Sequence, residues 1–405
     1  MQAKTITISR LTCEMQEGLV VVEGSPRLGW VMESPENGTR QSAYEIDIRE
    51  AFTGRSVWNS GKVYSTQSQL VSIEGADIRP DNPFNYSWRV RVWDETDAPS
   101  EWSREAKFRS ASSRLSEGKW IGAITRQNAH LPEGRKFHGG ELKKPEVKAA
   151  WEAVDTLAKK SICLRRTFQV GDRAEGNTNR QSGKKIVEAT AYVCGLGFYE
   201  FSLNGKKVGN SEFAPLWSDY DKTVYYNTYD VTEQLRHGEN AVGILLGNGF
   251  YNVQGGRYRK LQISFGPPTL LFELVINYED GTSTTLRSDN DWKYDFSPVT
   301  FNCIYGGEDY DARREQKGWN QVGFDDSHWR PVVIQEAPKG ILRPQMAPPV
   351  KIMERYDIQK VTKLNAEQVA SASVSTKRTV DPSAFVLNMG QNLAGFPEIT
   401  VRGKR

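Results

Sequence analysis

The stretch NYSWRVRVWDETDAPSEWS, residues 85–103, determines the class of fold predicted for this chain. Every second residue in its first half is apolar: Tyr86, Trp88, Val90 and Val92. A period of two is typical of a β-strand with one buried face. The segment SAYEIDIRE at 42–50 alternates in the same way, and a turn-forming run at 94–99 separates the first strand from another at 105–109. This spacing predicts an antiparallel β-sandwich.

The composition is that of an ordinary globular protein of two or three domains. Of its 405 residues, 53 are Lys or Arg and 50 are Asp or Glu, which gives a net charge of +3. Because the positive and negative side chains are nearly equal in number, we expect no concentrated basic surface. We therefore expect neither nucleic acid nor a membrane as a partner. Aromatic residues make up 11% of the chain. Trp and Tyr can stack on sugar rings, but the cores of large β-sandwiches are also rich in aromatic side chains.

The cysteines and histidines indicate neither a disulfide framework nor a zinc site. Four cysteines are widely separated, without a CxxC pair: Cys13, Cys163, Cys194 and Cys303. We expect them to be small buried side chains in a reducing compartment. No secretory signal precedes residue 25, so we expect a cytoplasmic protein; a secreted protein whose signal peptide has been removed would look the same. We expect no cofactor to be required.

Strand patterns and linkers divide the chain into three regions. We predict a fibronectin type III-like sandwich at 1–112, since the YxWRVRVWD run resembles the last two strands of such domains. A sandwich of jelly-roll size is predicted at 118–340, and part of a further β-sandwich at 345–405. Seven strands are predicted in the second region: 162–170, 186–194, 198–203, 224–230, 240–246, 269–278 and 283–288. Asn204-Gly205 predicts a hairpin turn between two of its strands.

Helix is predicted for fewer than about a tenth of the residues, against about a third in an average globular protein. Only TEQLRHG, at 232–238, has the pattern of a short helical turn. Two polar inserts, at 126–148 and 171–185, are predicted to be surface loops that are partly disordered.

The loop FAPLWSDYD, residues 213–221, is the first candidate site. Trp217 and Tyr220 could present ring faces to a sugar, and Asp219 could accept hydrogen bonds from its hydroxyl groups. The alternative is a buried corner in which Asp219 caps a turn and Trp217 fills the core.

The glycine-rich segment LLGNGFYNVQGGRY, residues 245–258, is the second candidate site. Asn248 and Tyr251 could take part in the same sugar site, because both loops interrupt strands and are expected to lie together. The side-chain oxygens of Asn248 and Asn252 could hold Ca²⁺. The alternative is a tight loop buried against a neighbouring domain. No GKS/T sequence follows, so a phosphate-binding P-loop is excluded.

The segment IYGGEDYDARR, residues 304–314, concentrates carboxylates and arginines. Two carboxylates at a fixed separation could serve as the acid and base of a glycosidase. The arginines favour another interpretation, in which Glu308, Asp311 and Arg313 belong to a domain interface or an ion network. We predict no catalytic residue in this chain.

Ten segments in this order resemble the N-terminal half of bacterial and fungal α-L-rhamnosidases, glycoside hydrolase family 78. They are LTCEMQEG, SPRLGWVMES, QSAYEIDIRE, LNGKKVG, APLWSDY, YYNTYDVT, LLGNGFY, IYGGEDYDAR, GWNQVGFDDSHW and MGQNLAG. The resemblance implies that the sandwich at 118–340 is a jelly roll similar to rhamnose-binding modules. It also implies that, in the whole protein, the β-domains are followed by an (α/α)6 barrel that carries catalytic glutamates and inverts the anomeric centre. The substrates would be glycosides and oligosaccharides with terminal, non-reducing α-L-rhamnose.

The resemblance implies that this chain is the non-catalytic N-terminal portion of such an enzyme. Its expected partners are then the C-terminal catalytic barrel of the same protein and L-rhamnose-containing carbohydrate. Two alternatives stay open at this point: a free-standing carbohydrate-binding protein, and a structural β-sandwich without catalysis.

Overall fold

The computed structural model describes residues 6–79, 82, 84–111, 114–132, 136–171, 184–255, 261–376 and 384–400. The chain divides into two compact units, Met1–Lys351 and Ile352–Arg405. Strands account for 43% of the structure and helices for 9%, which confirms the predicted all-β class. The region boundaries predicted from the sequence stay predictions.

The first part of the larger unit is a sandwich of two sheets. Its strands, within the described residues, are β1 (Thr7–Cys13), β2 (Val20–Val22), β3 (Arg27–Glu33), β4 (Ala43–Glu50), β5 (Ser56–Asn59), β6 (Val63–Tyr64), β7 (Val71–Ser72), β8 (Tyr86–Trp93) and β9 (Ala106–Ser110). One sheet has the order β1-β3-β7, and the other has the order β2-β9-β8-β4-β5 with β6 also paired to β4.

The pairing of β4 with β8 shows how the alternating sequence forms this sandwich. Ile46 lies opposite Val90 in the register, and neither is accessible to solvent. On the other face, Arg91 lies opposite Glu45 and forms an ion pair with it at 2.6 Å. The guanidinium of Arg91 also lies 4.8 Å from the ring centroid of Trp102. One face of the sheet therefore builds the core, and the other carries charged side chains that pair across strands.

The second part of the larger unit is a bigger sandwich. Its strands, in the part of the chain with a described position, are β10 (Ile121–Gly122), β11 (Lys136–His138), β12 (Ile162–Val170), β13 (Ile186–Leu196), β14 (Tyr199–Leu203), β15 (Lys206–Lys207), β16 (Ser211–Glu212), β17 (Thr223–Asp230), β18 (Gly238–Leu246), β19 (Asn252–Val253), β20 (Leu261–Ser264), β21 (Thr269–Tyr278), β22 (Ser283–Arg287), β23 (Lys293–Phe296), β24 (Val299–Cys303), β25 (Gly307–Tyr310), β26 (Arg330–Pro331), β27 (Val333–Ile334), β28 (Ile341–Pro344) and β29 (Val350–Lys351).

Two large sheets of this sandwich enclose its core. One has the order β27-β10-β21-β13-β17-β28, with β22 on β21, and the other has the order β15-β14-β18-β12-β23-β26. Phe272 and Trp292 pack at the centre with ring centroids 5.3 Å apart. The predicted hairpin turn is present, since Asn204 and Gly205 both have positive φ and Leu203 pairs with Lys206. All seven strands predicted for this region are confirmed.

The prediction for the insert at 126–148 is wrong. Strand β11 lies there, followed by a 3-10 helix (Gly139–Lys143) and helix α1 (Pro145–Glu152). Helix α1 begins with a proline at its first position, and Val147 and Trp151, one turn apart, are buried in a small separate core. The described part of the insert is ordered because this short apolar stripe packs against other buried side chains. Residues 172–183 of the other predicted loop lie outside the described part of the chain.

The described residues of the larger unit also contain 3-10 helices at Arg114–Glu117, Thr156–Lys159, Thr232–Gln234 and Ala312–Arg314. The third falls in the helical turn predicted at 232–238. Across the described residues, no helix is long and apolar enough to span a membrane.

The two sandwiches of the larger unit share a buried cluster that includes Val21 and Leu115 together with Tyr192 and Tyr226. Arg109 of β9 also donates to the carboxylate of Glu188 of β13 at 2.8 Å, and each side chain is only 5% exposed. Apolar packing and a buried ion pair therefore hold the sandwiches in one body.

The smaller unit, Ile352–Arg405, contains the two-stranded sheet of β30 (Lys360–Lys363) and β31 (Phe385–Asn388), with helix α2 (Ala366–Thr376) between them in the chain. Two strands agree with the β-structure predicted for 345–405, whereas α2 was not predicted. Residues 377–383 and 401–405 lie outside the described part.

Candidate functional site

Five aromatic side chains from four loops of the second sandwich lie next to one another. We call them the aromatic surface: Phe198, Phe213, Trp217, Phe250 and Tyr305. Phe250 is at its centre, with its ring centroid 5.4 Å from Trp217, 6.1 Å from Phe198 and 6.2 Å from Tyr305. The 213–221 and 247–251 loops therefore lie together, as the sequence predicted.

Glycines bring these loops into contact. Gly197 precedes Phe198 and Gly249 precedes Phe250, and both glycines have positive φ. A Cβ on Gly197 would lie 2.0 Å from the carbonyl oxygen of Gly247, so no larger residue fits where the two backbones cross. The close crossing places the two phenylalanines side by side. Phe198 and Phe250 were not among the residues predicted for the site. The sequence feature that could have indicated them is the Gly-Phe pair, which occurs in both loops.

Trp217 and Phe213 form the accessible part of the aromatic surface, because 63% and 51% of their respective areas are exposed. Large aromatic side chains at this exposure are typical of binding surfaces. The loop that carries them is held by hydrogen bonds to neighbouring segments. The amide of Leu216 donates to Gln345 Oε1 at 2.9 Å, and Ser218 Oγ donates to the carbonyl of Thr223 on β17 at 2.6 Å. The two rings are thus presented by a loop of defined shape.

Asp219 is exposed beside these rings, and its carboxylate lies 3.0 Å from Lys222 Nζ. The hydrogen bond from Lys222 lowers the pKa of the Asp219 carboxyl, so the side chain is ionised at neutral pH and can accept hydrogen bonds. Its carbonyl oxygen accepts from the amides of Lys222 and Thr223, which makes Asp219 a turn residue as well as a candidate acceptor.

Tyr220 and Tyr251 lie in the interior, where they are 4% and 6% exposed. Their ring centroids are 5.1 Å apart, and both rings contact Phe265. Burial raises the pKa of the Tyr220 hydroxyl. The two rings border a cavity of about 100 Å³, well below the size of typical ligand pockets. Neither ring face is therefore offered to a sugar in this structure.

Asn248 and Asn252, predicted as ligands of Ca²⁺, are hydrogen-bonded within the protein, although Asn252 Oδ1 has no hydrogen-bond partner among the described residues; the calcium site stays a prediction. Asn248 Nδ2 donates to the carbonyl of Lys159 at 2.8 Å, and Asn252 Nδ2 donates to Asn248 Oδ1 at 2.8 Å and to the carbonyl of Ala158. The amide nitrogens therefore point at the backbone oxygens that a cation would need. Among the residues with described positions, no three His, Cys, Asp or Glu side chains converge as a metal site.

The acidic cluster at 304–314 contains an ion network. Asp311 accepts from Arg313 Nε at 2.8 Å and lies 3.5 Å from Arg314. The hydrogen bond from Arg313 lowers the pKa of the Asp311 carboxyl to about 2, so Asp311 holds no proton that it could donate at neutral pH. Glu308 lies on β25, an exposed strand.

Comparison with known proteins places these domains in a family. Residues 184–354 match the sequence model of the alpha-L-rhamnosidase N-terminal domain, and residues 8–113 match that of the Rha78A-like N-terminal immunoglobulin domain. An alpha-L-rhamnosidase of Formosa agariphila is 33% identical over 399 residues, which is 95% of this chain and 38% of that protein. One from Streptomyces avermitilis is 28% identical and is matched over 49% of its length. The chain thus spans less than half the length of these relatives.

Solved structures agree with the sequence matches. The Streptomyces avermitilis alpha-L-rhamnosidase complexed with L-rhamnose superposes with a TM-score of 0.68 at 25% identity, over 88% of this chain and 48% of that one. The alpha-L-rhamnosidase from Dictyoglumus thermophilum gives a TM-score of 0.60 at 29% identity, over 89% and 37%. These similarities identify residues 8–113 and 184–354 as N-terminal domains of the α-L-rhamnosidase type, glycoside hydrolase family 78.

Proposed function

We propose that this chain serves an inverting α-L-rhamnosidase, which hydrolyses terminal, non-reducing α-L-rhamnose from glycosides and oligosaccharides. The observation that carries the proposal is the match of residues 8–113 and 184–354 to N-terminal domains of that family, in the order the family has them. In this proposal the chain supports a catalytic barrel that belongs to the same protein. The reducing cytoplasm is the proposed compartment, since all four cysteines are buried and free.

Product stereochemistry tests the proposed activity. The complete product of the gene that encodes this chain is incubated with an aryl α-L-rhamnoside, and the released sugar is followed by proton NMR during the first minutes. An inverting enzyme releases β-L-rhamnose first, and the α-anomer then grows by mutarotation. Initial release of the α-anomer would contradict inversion, and the absence of any rhamnose release would contradict the proposed activity.

We also propose that the aromatic surface binds carbohydrate. Its exposed rings, Trp217 and Phe213, would stack on the apolar face of a sugar, and Asp219 would accept a hydroxyl hydrogen bond. Asn248, Tyr220 and Tyr251, predicted from the sequence as further contacts, would act from the interior by supporting the loops. An open platform with few polar contacts provides weak affinity, with a Kd of order 10⁻³–10⁻⁴ M, or about 4–5.5 kcal/mol.

Calorimetric titration of the chain with L-rhamnose tests this surface. We expect binding that Trp217→Ala abolishes, that Asp219→Ala weakens and that EDTA leaves unchanged. The last expectation rests on the amide nitrogens of Asn248 and Asn252, which already bond to backbone oxygens. Tyr64→Ala provides the matched control, since Tyr64 is an exposed aromatic residue of the first sandwich. Equal binding by the parent chain and Trp217→Ala would exclude this surface, and loss of binding in EDTA would support the calcium site.

A further inference from the structure

The two-stranded sheet of the smaller unit has one apolar face. In the antiparallel register of β30 with β31, Val361 lies opposite Leu387 and Lys363 lies opposite Phe385. Residues directly opposite each other in such a pair, and residues two positions apart along one strand, are on the same face of the sheet. Val361, Phe385 and Leu387 therefore lie together, and we call these three residues the apolar sheet face.

The other face of the same sheet is mostly polar. Lys360 lies opposite Asn388, and Thr362 lies opposite Val386. An antiparallel sheet with one apolar and one polar face is typical of a sheet that is covered on one side and solvated on the other. The sequence of β30 and β31 is thus that of strands with one buried face.

The apolar sheet face is nevertheless open to solvent in this chain. Val361 and Phe385 are each 57% exposed, and Leu387 is 45% exposed. Among the residues of 352–400 whose burial is described, none is buried. Single apolar residues on a protein surface are ordinary, whereas apolar side chains grouped on one face of a sheet are typical of an interaction surface.

The described residues of the smaller unit do not supply a layer that covers this face. Among them, β30 and β31 pair only with each other. Helix α2 does not cover the sheet either, because Val369 is the only one of its residues 366–371 that is even half-buried. A two-stranded sheet is marginally stable in water unless further strands or a packed layer support it. We therefore expect another surface to pack on the apolar sheet face.

The lengths of the relatives indicate where that surface comes from. Both matched family models are N-terminal domains, and the chain spans 38% of the Formosa agariphila protein and 49% of the Streptomyces avermitilis protein. More than half of each relative lies outside the matched region, and most of that remainder follows N-terminal domains. A segment linked covalently to the sheet is present at a high effective concentration, so it has an advantage over a second copy of the chain.

We propose that the apolar sheet face packs against an apolar surface of the polypeptide that follows these domains in the complete protein. The proposal rests on the proposed function and deepens it, because it names the surface through which the chain supports the rest of the enzyme. Val361, Phe385 and Leu387 are then buried contacts in the complete protein. Lys360, on the opposite face, stays in solvent.

Thiol labelling in the 405-residue chain and in the complete gene product tests this surface. Val361→Cys and Lys360→Cys form a matched pair, because the two residues are neighbours on β30, are both exposed and lie on opposite faces. The four native cysteines are buried, so they contribute little background. We expect both variants of the 405-residue chain to react with a maleimide at similar rates. In the complete product, Val361→Cys should react at least about tenfold more slowly and Lys360→Cys at an unchanged rate.

Leu387→Cys repeats the test from the other strand, and thermal unfolding of each variant checks that it folds. Equal labelling of Val361→Cys in the two proteins would overturn the proposal. Equal protection of Lys360→Cys and Val361→Cys in the complete product would also overturn it, because the covered surface would not be one face of the sheet. Protection in the 405-residue chain that increases with its concentration would identify a second copy as the partner instead.

The labelling reaction does not depend on hydrolysis, so it separates this surface from the proposed activity. Protection of Val361→Cys in a complete product that releases no rhamnose would support the docking surface and contradict the rhamnosidase activity. Rhamnose release by a complete product in which Val361→Cys is unprotected would support the activity and overturn the docking surface.

Discussion

Asp311 and Arg313 show how a charged residue can be assigned a role from its partners. The hydrogen bond from Arg313 lowers the pKa of the Asp311 carboxyl from 3.8 to about 2. A carboxyl with a lowered pKa contributes stability at pH values above its unfolded pKa, and this contribution is lost as the pH falls towards 2. Because Arg313 is 89% exposed, solvent screens the pair and the contribution is small.

We predict that Arg313→Gln raises the pKa of Asp311 towards 3.8, because it removes the donor that favours the carboxylate. The measurement is an NMR titration of the side-chain carboxyl carbon between about pH 1.5 and 6. Arg330→Gln is the control, since Arg330 pairs with Asp295 instead, and it should leave the Asp311 titration unchanged. A midpoint that does not move in Arg313→Gln would show that the ion pair does not form in solution.

For individual residues of the 213–221 loop, the sequence indicated which side chains are aromatic but not which of them are exposed. Trp217 and Tyr220 are three residues apart in one loop, yet Trp217 is exposed and Tyr220 is buried against Tyr251. A loop has no regular period, so its sequence does not tell which side chains face inward. The same reason explains why Phe250, at the centre of the aromatic surface, was missed.

At the scale of elements, β9 and β13 are joined by the ion pair of Arg109 and Glu188 across the sandwich junction. The backbone amide of Asn85 also donates to Glu188 Oε2 at 3.1 Å. Both charged groups are removed from water, so their desolvation offsets much of their attraction. Removing one partner leaves the other as an unpaired buried charge.

We predict that Glu188→Leu lowers the free energy of unfolding by about 3–5 kcal/mol, and that Arg109→Met combined with Glu188→Leu restores most of it. Urea unfolding followed by tryptophan fluorescence measures both. Lys207→Met is the control, because its partners are on the surface and its loss should cost less than about 1 kcal/mol. If the double variant is as unstable as Glu188→Leu alone, the prediction is contradicted. The attraction between Arg109 and Glu188 would then stabilise the junction, and the loss in Glu188→Leu would not come from an unpaired buried charge.

Regular elements with a strong local pattern were predicted well. Strand β12 has the predicted bounds, since nine residues of alternating and apolar character leave little choice of structure. The Asn204-Gly205 turn was predictable because positive φ at two successive positions selects those residues. Helix α1 was not predictable, because its eight residues include only a single buried pair, Val147 and Trp151. Its stability comes from tertiary contacts with the core that surrounds it.

At the scale of the whole molecule, the all-β class and the resemblance to α-L-rhamnosidases were both available from the sequence, because strand periodicity and serial motifs are encoded locally. The cavity of about 300 Å³ between the two sandwiches could not be predicted from the sequence. Val20, Thr228 and Lys351 line it, and because these residues are more than a hundred positions apart in the chain, no local pattern indicates that they meet.

We propose that these β-domains support a catalytic barrel and bind sugar but do not themselves cleave glycosides. Inverting hydrolysis requires a protonated acid and a base about 6.5–9.5 Å apart, whereas the carboxylate at the centre of the 304–314 cluster is held ionised by arginine. The most direct measurement is the rate of aryl α-L-rhamnoside hydrolysis by the purified 405-residue chain. We predict a rate equal to that of buffer; turnover that Glu308→Gln abolishes would contradict the claim.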